Sequence, residues 1–200
     1  MTLSEQLVEA VGRLRVEDLP PDVVDVAKLH ILDALGIAVA STRMDYGASI
    51  HAAGQALGRG DDSRVVGFGT RLPAAAAALV NGTLIHGLDF DDTHIASIHH
   101  ATAPALATAL AVGEAEHVSG ADFLLAYVAG LEVGCRIAGA GAGRFTGRGF
   151  HPTGIAGAFA STCVTALLRG DPPSALVNAL GLCGSMASAW SPATARRHIR

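Results

Sequence analysis

The sequence predicts an all-α protein, and three observations lead there. Half of its 200 residues are apolar but only 4% are aromatic, so Ala, Val, Leu and Gly must fill the interior. Small side chains let helices approach closely, and Ala is the strongest helix former. Apolar residues recur at three- and four-residue spacing in most segments, whereas strand signals are confined to one short stretch.

Taken in order, "SEQLVEAVGRL" puts Leu7, Val8, Val11 and Leu14 on one helical face, with acids in the first turn. Pro20 and Pro21 break the chain, and residues 22–41 then read as a long helix that becomes buried on all sides. "YGASIHAAGQALG" predicts a shorter helix ended by Gly58, followed by a turn in "GRGDD". "SRVVGFGTRL" is the extended piece. Pro73 starts a helix that runs toward Asp89, and "APALATALAVGEAEH" starts another near a proline. A further helix over "GADFLLAYVAGLEVGCRIAGA" leads into glycine-rich residues 141–150. Two more, "HPTGIAGAFASTCVTALLRG" and "PPSALVNALGLCGSMASA", are joined by Asp171, Pro172 and Pro173. Residues 191–200, "SPATARRHIR", lose the apolar periodicity and read as a divergent tail after a unit spanning 1–190.

A net charge of −4 and no basic stripe argue against a nucleic-acid partner. Cys135, Cys163 and Cys183 lie far apart in apolar text, which fits free thiols in a reducing, cytoplasmic setting. The N-terminal segment lacks the basic-then-apolar order of a signal peptide. The longest uncharged run, 149–168, holds His151, Pro152 and Thr153 and suits a buried helix better than a membrane span.

Chemistry concentrates in "LIHGLDFDDTHIASIHHATAP", with three aspartates and four of the nine histidines of the chain. Zinc fits poorly, since neither HExxH nor a Cys–His pairing is present. Magnesium on Asp91 and Asp92 lacks basic neighbours for substrate phosphates. "DFDD" matches the D-x-D-D of class II terpene cyclases, but carbocation chemistry needs aromatic faces, and one Trp and two Tyr are too few. Metal-free acid–base chemistry suits the composition, because histidine titrates near neutrality and a neighbouring aspartate can orient or charge it. The reading without chemistry is an Asp-rich loop that caps the next helix, its histidines in water.

These blocks taken together resemble the MmgE/PrpD family over about residues 5–190. The resemblance rests on "AKLHILDALGIAVAS" with its D-x-x-G at Asp33 to Gly36, on "RVVGFGTRLPAAAAALVNGTLIHGLDFDDTH", on "GLEVGCRIAGA", and on "FHPTGIAGAFASTCVTALLRG". It implies a large all-helical domain, a smaller α+β lid with the active site between them, and a homodimer. It further implies action on small di- and tricarboxylates with no metal or other cofactor; the family includes 2-methylcitrate dehydratase, cis-aconitate decarboxylase and iminodisuccinate epimerase. The dehydratase is the leading expectation, with the decarboxylase and epimerase as alternatives.

Residue by residue, the resemblance makes Asp89, His100 and His151 catalytic, and Thr93 substrate-binding. His99 competes with His100 and is kept as substrate-binding. Asp91 and Asp92 read as structural, and His86 as a core residue. His151 has a plainer alternative as a cap for the helix that follows it. The sequence also departs from the family. Relatives are longer, their substrate-binding lysines lie beyond this text, and Lys28 is the only lysine here. The expectation is therefore a helical domain cut short, without its lid, that relies on a homodimer partner or companion chain. The rival is a non-catalytic helical remnant.

Overall fold

The computed structural model describes residues 1–141 and 143–188, and these are mostly helical. The expected tail, 191–200, lies outside the described residues. Helices α1 (Leu3–Gly12), α2 (Pro21–Ser41) and α3 (Asp45–Ala56) precede a small hairpin of β1 (Ser63–Arg64) and β2 (Arg71–Leu72). Then come α4 (Ala74–His86), α5 (Thr102–Ala115), α6 (Gly120–Gly141), the short α7 (Arg144–Gly147), α8 (Pro152–Arg169) and α9 (Pro173–Met186).

The boundaries follow local chemistry. Thr2 and Glu5 form a capping box on α1, each accepting from the other's backbone N–H. Proline opens α2, α8 and α9, where a missing N–H costs nothing. Gly170 ends α8 in the left-handed region. The extended piece of the sequence becomes the antiparallel hairpin, with Ser63 opposite Leu72, and Asn81 of α4 anchors it. Asn81 Oδ1 accepts from Val66 N at 2.9 Å, and its Nδ2 donates to Arg64 O at 3.0 Å.

Helix α5 is the centre of the packing, against α4, α6, α8 and α2. Ala105, Leu106, Ala109 and Ala111 are fully buried, as are Val80, Leu84 and Ile85 of α4. Helices α6 and α8 pack directly on each other because Gly130 has no side chain: a Cβ there would meet Val164 Cγ2 at 2.5 Å. Close packing by small residues replaces the aromatic filling that the sequence lacks. Helix α6 has the length and mean hydropathy (1.5) of a membrane span, a test that core helices also pass; its Tyr127, Ala129 and Val133 are buried against neighbouring helices.

One expectation is corrected. Helix α2 is not buried on all sides. Ala27, Ala34, Ile37 and Ala38 face the core, while Leu29 and Leu32 are 62% and 68% exposed, because α4 and α5 cover one face only. Within the glycine-rich segment α7 forms between Gly143 and Gly149, both at positive φ.

Candidate active site

The last turn of α4, the loop 87–101 and the first residue before α8 meet at one point. Helix α4 stops at His86, and the chain turns sharply at Asp89, whose φ of 54° lies in the left-handed region. Aspartate tolerates that conformation better than most residues. The turn brings Asp91 back beneath His86. An isolated bridge between His94 and His99 folds the rest of the loop, and Asp92 Oδ1 then accepts from Thr102 N at the start of α5. His100 N donates to Thr153 Oγ1 at 3.0 Å, tying the loop to α8.

The polar groups form a continuous cluster. The Asp91 side chain is only 1% exposed, and its two oxygens each lie 3.1 Å from His86 Nδ1. His100 Nδ1 is 3.3 Å from Asp91 Oδ1. On the far side of that ring, His100 Nε2 lies 3.4 Å from Asp89 Oδ1, and the Asp89 side chain is 81% exposed. His86 Nε2 meets His151 Nε2 at 3.3 Å, the two rings nearly parallel with centroids 5.5 Å apart. Thr93 Oγ1 stands 3.4 Å from His100 Nδ1.

The electrostatics separate the histidines. The hydrogen bond from Asp91 raises the His86 pKa above its ordinary value; burial opposes this, and the charges of Asp91 and Asp89 add to it. His151 is lowered, first by burial and then by the positive charges of His86 and His100, against the pull of Asp89 and Asp91. A buried carboxylate is stable only when its lone pairs are used. Asp91 meets that need with His86 Nδ1 on both oxygens and the His100 ring close by, whose Nδ1 lies 3.3 Å from the Asp91 backbone carbonyl.

Asp89, Thr93, His100 and His151 are thus brought together, and His99 is not. His99 is fully buried against α6, where a Cβ on Gly134 would meet its Nε2 at 2.6 Å. Neither of its ring nitrogens has a hydrogen-bond partner among the described residues, and burial pushes its pKa down to about 4. His151 occupies the N-cap position of α8, but its side chain makes no capping hydrogen bond; the ring turns to His86 instead. Sequence reasoning read His86 as packing or hydrogen-bonding in the core and Asp91 as structural, and did not foresee that they pair with each other. The available signal was their spacing: a histidine in the last helical turn, five residues before an aspartate across a glycine.

Ligand atoms of His86, Asp89, Asp91 and His100 lie within 4.8 Å of one another, close enough to surround a cation. They are paired with each other, with Asp91 shared by two rings and His86 Nε2 turned to His151. Beside His86 an apolar groove of about 610 Å³ runs between α4, α5 and α8, lined by residues such as Gly82, Pro104, Thr153 and Gly157, with no lysine or arginine among the described residues. Phe90 and Ile95 stand exposed on the loop.

Comparison with known proteins gives a consistent answer. The family description "MmgE/PrpD N-terminal domain" matches residues 5–197. Cis-aconitate decarboxylase of Aspergillus terreus is 29% identical over 199 residues, covering 94% of this chain and 41% of the relative. The human cis-aconitate decarboxylase is 32% identical over 196 residues, covering 94% and 40%. That of Mus musculus is 29% identical over 194 residues, with the same coverage. The chain therefore spans about 40% of the length of these curated relatives.

Proposed function

This chain belongs to the MmgE/PrpD family, and on that premise we propose that it carries the acid–base half of a lyase site. The substrate is a small di- or tricarboxylate, and the chemistry needs no metal or other cofactor. The observation that supports this reading best is the buried Asp91, flanked by two imidazoles with a third beyond, of which His86 lines an open groove. Such an array can give or take a proton at neutral pH, which is what chemistry at a carbon beside a carboxylate requires.

The names of the relatives favour decarboxylation of cis-aconitate over dehydration of 2-methylcitrate. In decarboxylation a proton goes to a carbon of the substrate double bond as the bond to CO2 breaks, and the freed electron pair forms the new double bond. In dehydration a proton leaves the carbon beside the carboxylate and the hydroxyl departs as water. His151 and His100 would exchange these protons with substrate, Asp89 would hold His100 from its exposed side, and Thr93 would hold a substrate oxygen. Among the described residues no cation lines the groove to bind carboxylates, so we assign that role to groups outside them, including a homodimer partner or a companion chain. A reducing, cytoplasmic setting suits the three free thiols.

The test is incubation with cis-aconitate and, separately, 2-methylcitrate, following both by NMR with and without a chelator. Turnover of either acid that survives chelation and is lost in His151→Gln supports the reading. Turnover abolished by chelation would overturn the metal-free chemistry. No turnover with either acid, in the assembled state found by sedimentation, favours the second reading, a non-catalytic helical subunit.

A further inference from the structure

We propose that His86 is a positioning residue that stores the proton His151 exchanges with substrate, through a hydrogen-bonded chain running from Asp91 to His86 to His151. This rests on the assignment of His151 as a proton-exchanging group. It gives roles to two residues that the sequence reading set aside as core and structural.

The argument begins with donors and acceptors. A buried carboxylate only accepts, so His86 Nδ1, 3.1 Å from both oxygens of Asp91, carries a hydrogen in either charge state. That fixes the ring and leaves Nε2 as the variable atom. Nε2 faces His151 Nε2 at 3.3 Å, and two imidazole nitrogens at that distance share one hydrogen between them. Two arrangements follow. In the first, His86 is an imidazolium and donates from Nε2 to a bare Nε2 of His151, whose Nδ1 carries a hydrogen. In the second, His86 is neutral and accepts from His151 Nε2–H, which leaves His151 Nδ1 bare.

These two states are the two ends of one transfer. When His151 gives its Nδ1 hydrogen to a substrate carbon, the Nε2 hydrogen of His86 passes to His151 Nε2, and both rings end neutral. In the reverse direction His151 Nδ1 accepts a substrate proton, its Nε2 hydrogen moves to His86, and the positive charge comes to rest beside Asp91. No proton is gained or lost in the chain beyond the one exchanged, and within it only N–H bonds change. In the substrate the C–H bond forms as the bond to CO2 breaks, or breaks as the hydroxyl leaves as water with a proton from His100. The chain therefore serves an acid step and a base step alike.

The charges around the pair favour the first arrangement at rest. The groups facing His86 are Asp91 and Asp89 together with the rings of His100 and His151; those facing His151 are His86, His100, Asp89 and Asp91. Their balance raises His86 and lowers His151, with Asp91 first for His86 and burial first for His151. His99, beneath the cluster, is lowered to about 4 and contributes no charge near neutrality.

The test is histidine nitrogen NMR on the full chain labelled with 15N in its imidazoles, which needs no turnover. A scalar coupling between His86 Nε2 and His151 Nε2, with both His86 nitrogens protonated at a pH where His151 Nε2 is bare, is expected. In His86→Gln the titration midpoint of His151 should shift upward, because a positive neighbour is removed, and in Asp91→Asn that of His86 should shift downward. An unmoved His151 midpoint in a His86→Gln protein whose circular dichroism shows an intact fold would overturn the proposal. Should that variant not fold, the wild-type spectrum decides: a His86 ring with a bare Nδ1, or no coupling, rejects the chain. Presence of the coupling without turnover would instead count against the lyase reading and leave the hydrogen-bonded chain standing.

Discussion

His99 and His100 are neighbours in the chain, and the structure puts them in opposite environments. The His100 ring lies between Asp91 and Asp89, the latter largely open to solvent. The His99 ring points the other way, into a floor of α6 where Gly134 leaves room for it and no polar atom among the described residues answers it. One region sets carboxylates against imidazoles and raises the pKa of His86; the other surrounds His99 with small groups and lowers its pKa. The lesson is that residue type does not make a site. Alternation along an extended loop sends adjacent side chains to opposite faces, and the partners on each face decide the chemistry.

The largest expected effect lies on the cluster side. Under the proposed function, His151→Gln should reduce turnover by about 10²–10⁴-fold, the usual contribution of one acid–base group. Steady-state kinetics with the better substrate measure it. A variant that kept full turnover would remove the site's claim to differ in kind from the floor beneath it.

The next effect belongs to the floor. His99 has its pKa lowered from 6.5 in the unfolded chain to about 4 in the folded one. As pH falls through 6.5 the unfolded chain takes up a proton that the folded chain refuses. Stability attributable to His99 is therefore complete above 6.5 and is lost progressively toward pH 4, by on the order of 3 kcal/mol. His86 acts in the opposite sense: its pKa is raised, so its contribution is present below the unfolded value and fades as pH rises through the folded one. Urea unfolding at a series of pH values, compared with His99→Leu, separates the two. The variant should flatten the acid loss, and an unchanged profile would mean that His99 is not the neutral buried group described here.

How much of this was legible follows from where each signal sits. The helix starts at Pro21, Pro152 and Pro173 could be read locally, because proline's fixed φ and missing N–H act within one turn. The one-sided burial of α2 could not, since Leu29 and Leu32 look like core residues until the neighbours of the helix are known. In the site, Asp89, His100 and His151 stand in recognisable text. The pairing of His86 with His151 joins residues 65 apart, and it depends on α4 ending where α8 begins. The split between Asp91 and Asp92 is set by a left-handed turn at Asp89 that sequence patterns do not announce. One acid went under the histidines and the other to the α5 N-terminus.

A smaller effect probes the fit of the floor. Gly134→Ala would place a methyl group 2.6 Å from His99 Nε2, a ring with no open space to retreat into. The expected cost is about 2 kcal/mol, typical of adding one group to a close-packed interior. Thermal unfolding measures it, and the double variant with His99→Ala should recover most of the loss, because the smaller side chain vacates the contact. Failure to recover would place the strain elsewhere on α6.

The smallest effect tests the link between the two regions. Thr153 is buried at the start of α8, and its Oγ1 accepts the backbone N–H of His100 at 3.0 Å. This bond fixes the chain at the point where one ring turns down to the floor and the next turns out to the cluster. Thr153→Val keeps the shape and removes the acceptor, so the His100 N–H is left without its partner. The cost should be about 1 kcal/mol in unfolding free energy. Thr153→Ser restores the oxygen and should recover part of it. Hydrogen exchange at the His100 amide gives the more direct reading: exchange should speed up in the valine variant and remain slow in the serine one. If both variants exchange like the wild type, the His94–His99 bridge and the Asp92 cap hold the loop without Thr153. The opposed settings of His99 and His100 would then be a property of the loop alone rather than of its attachment to α8.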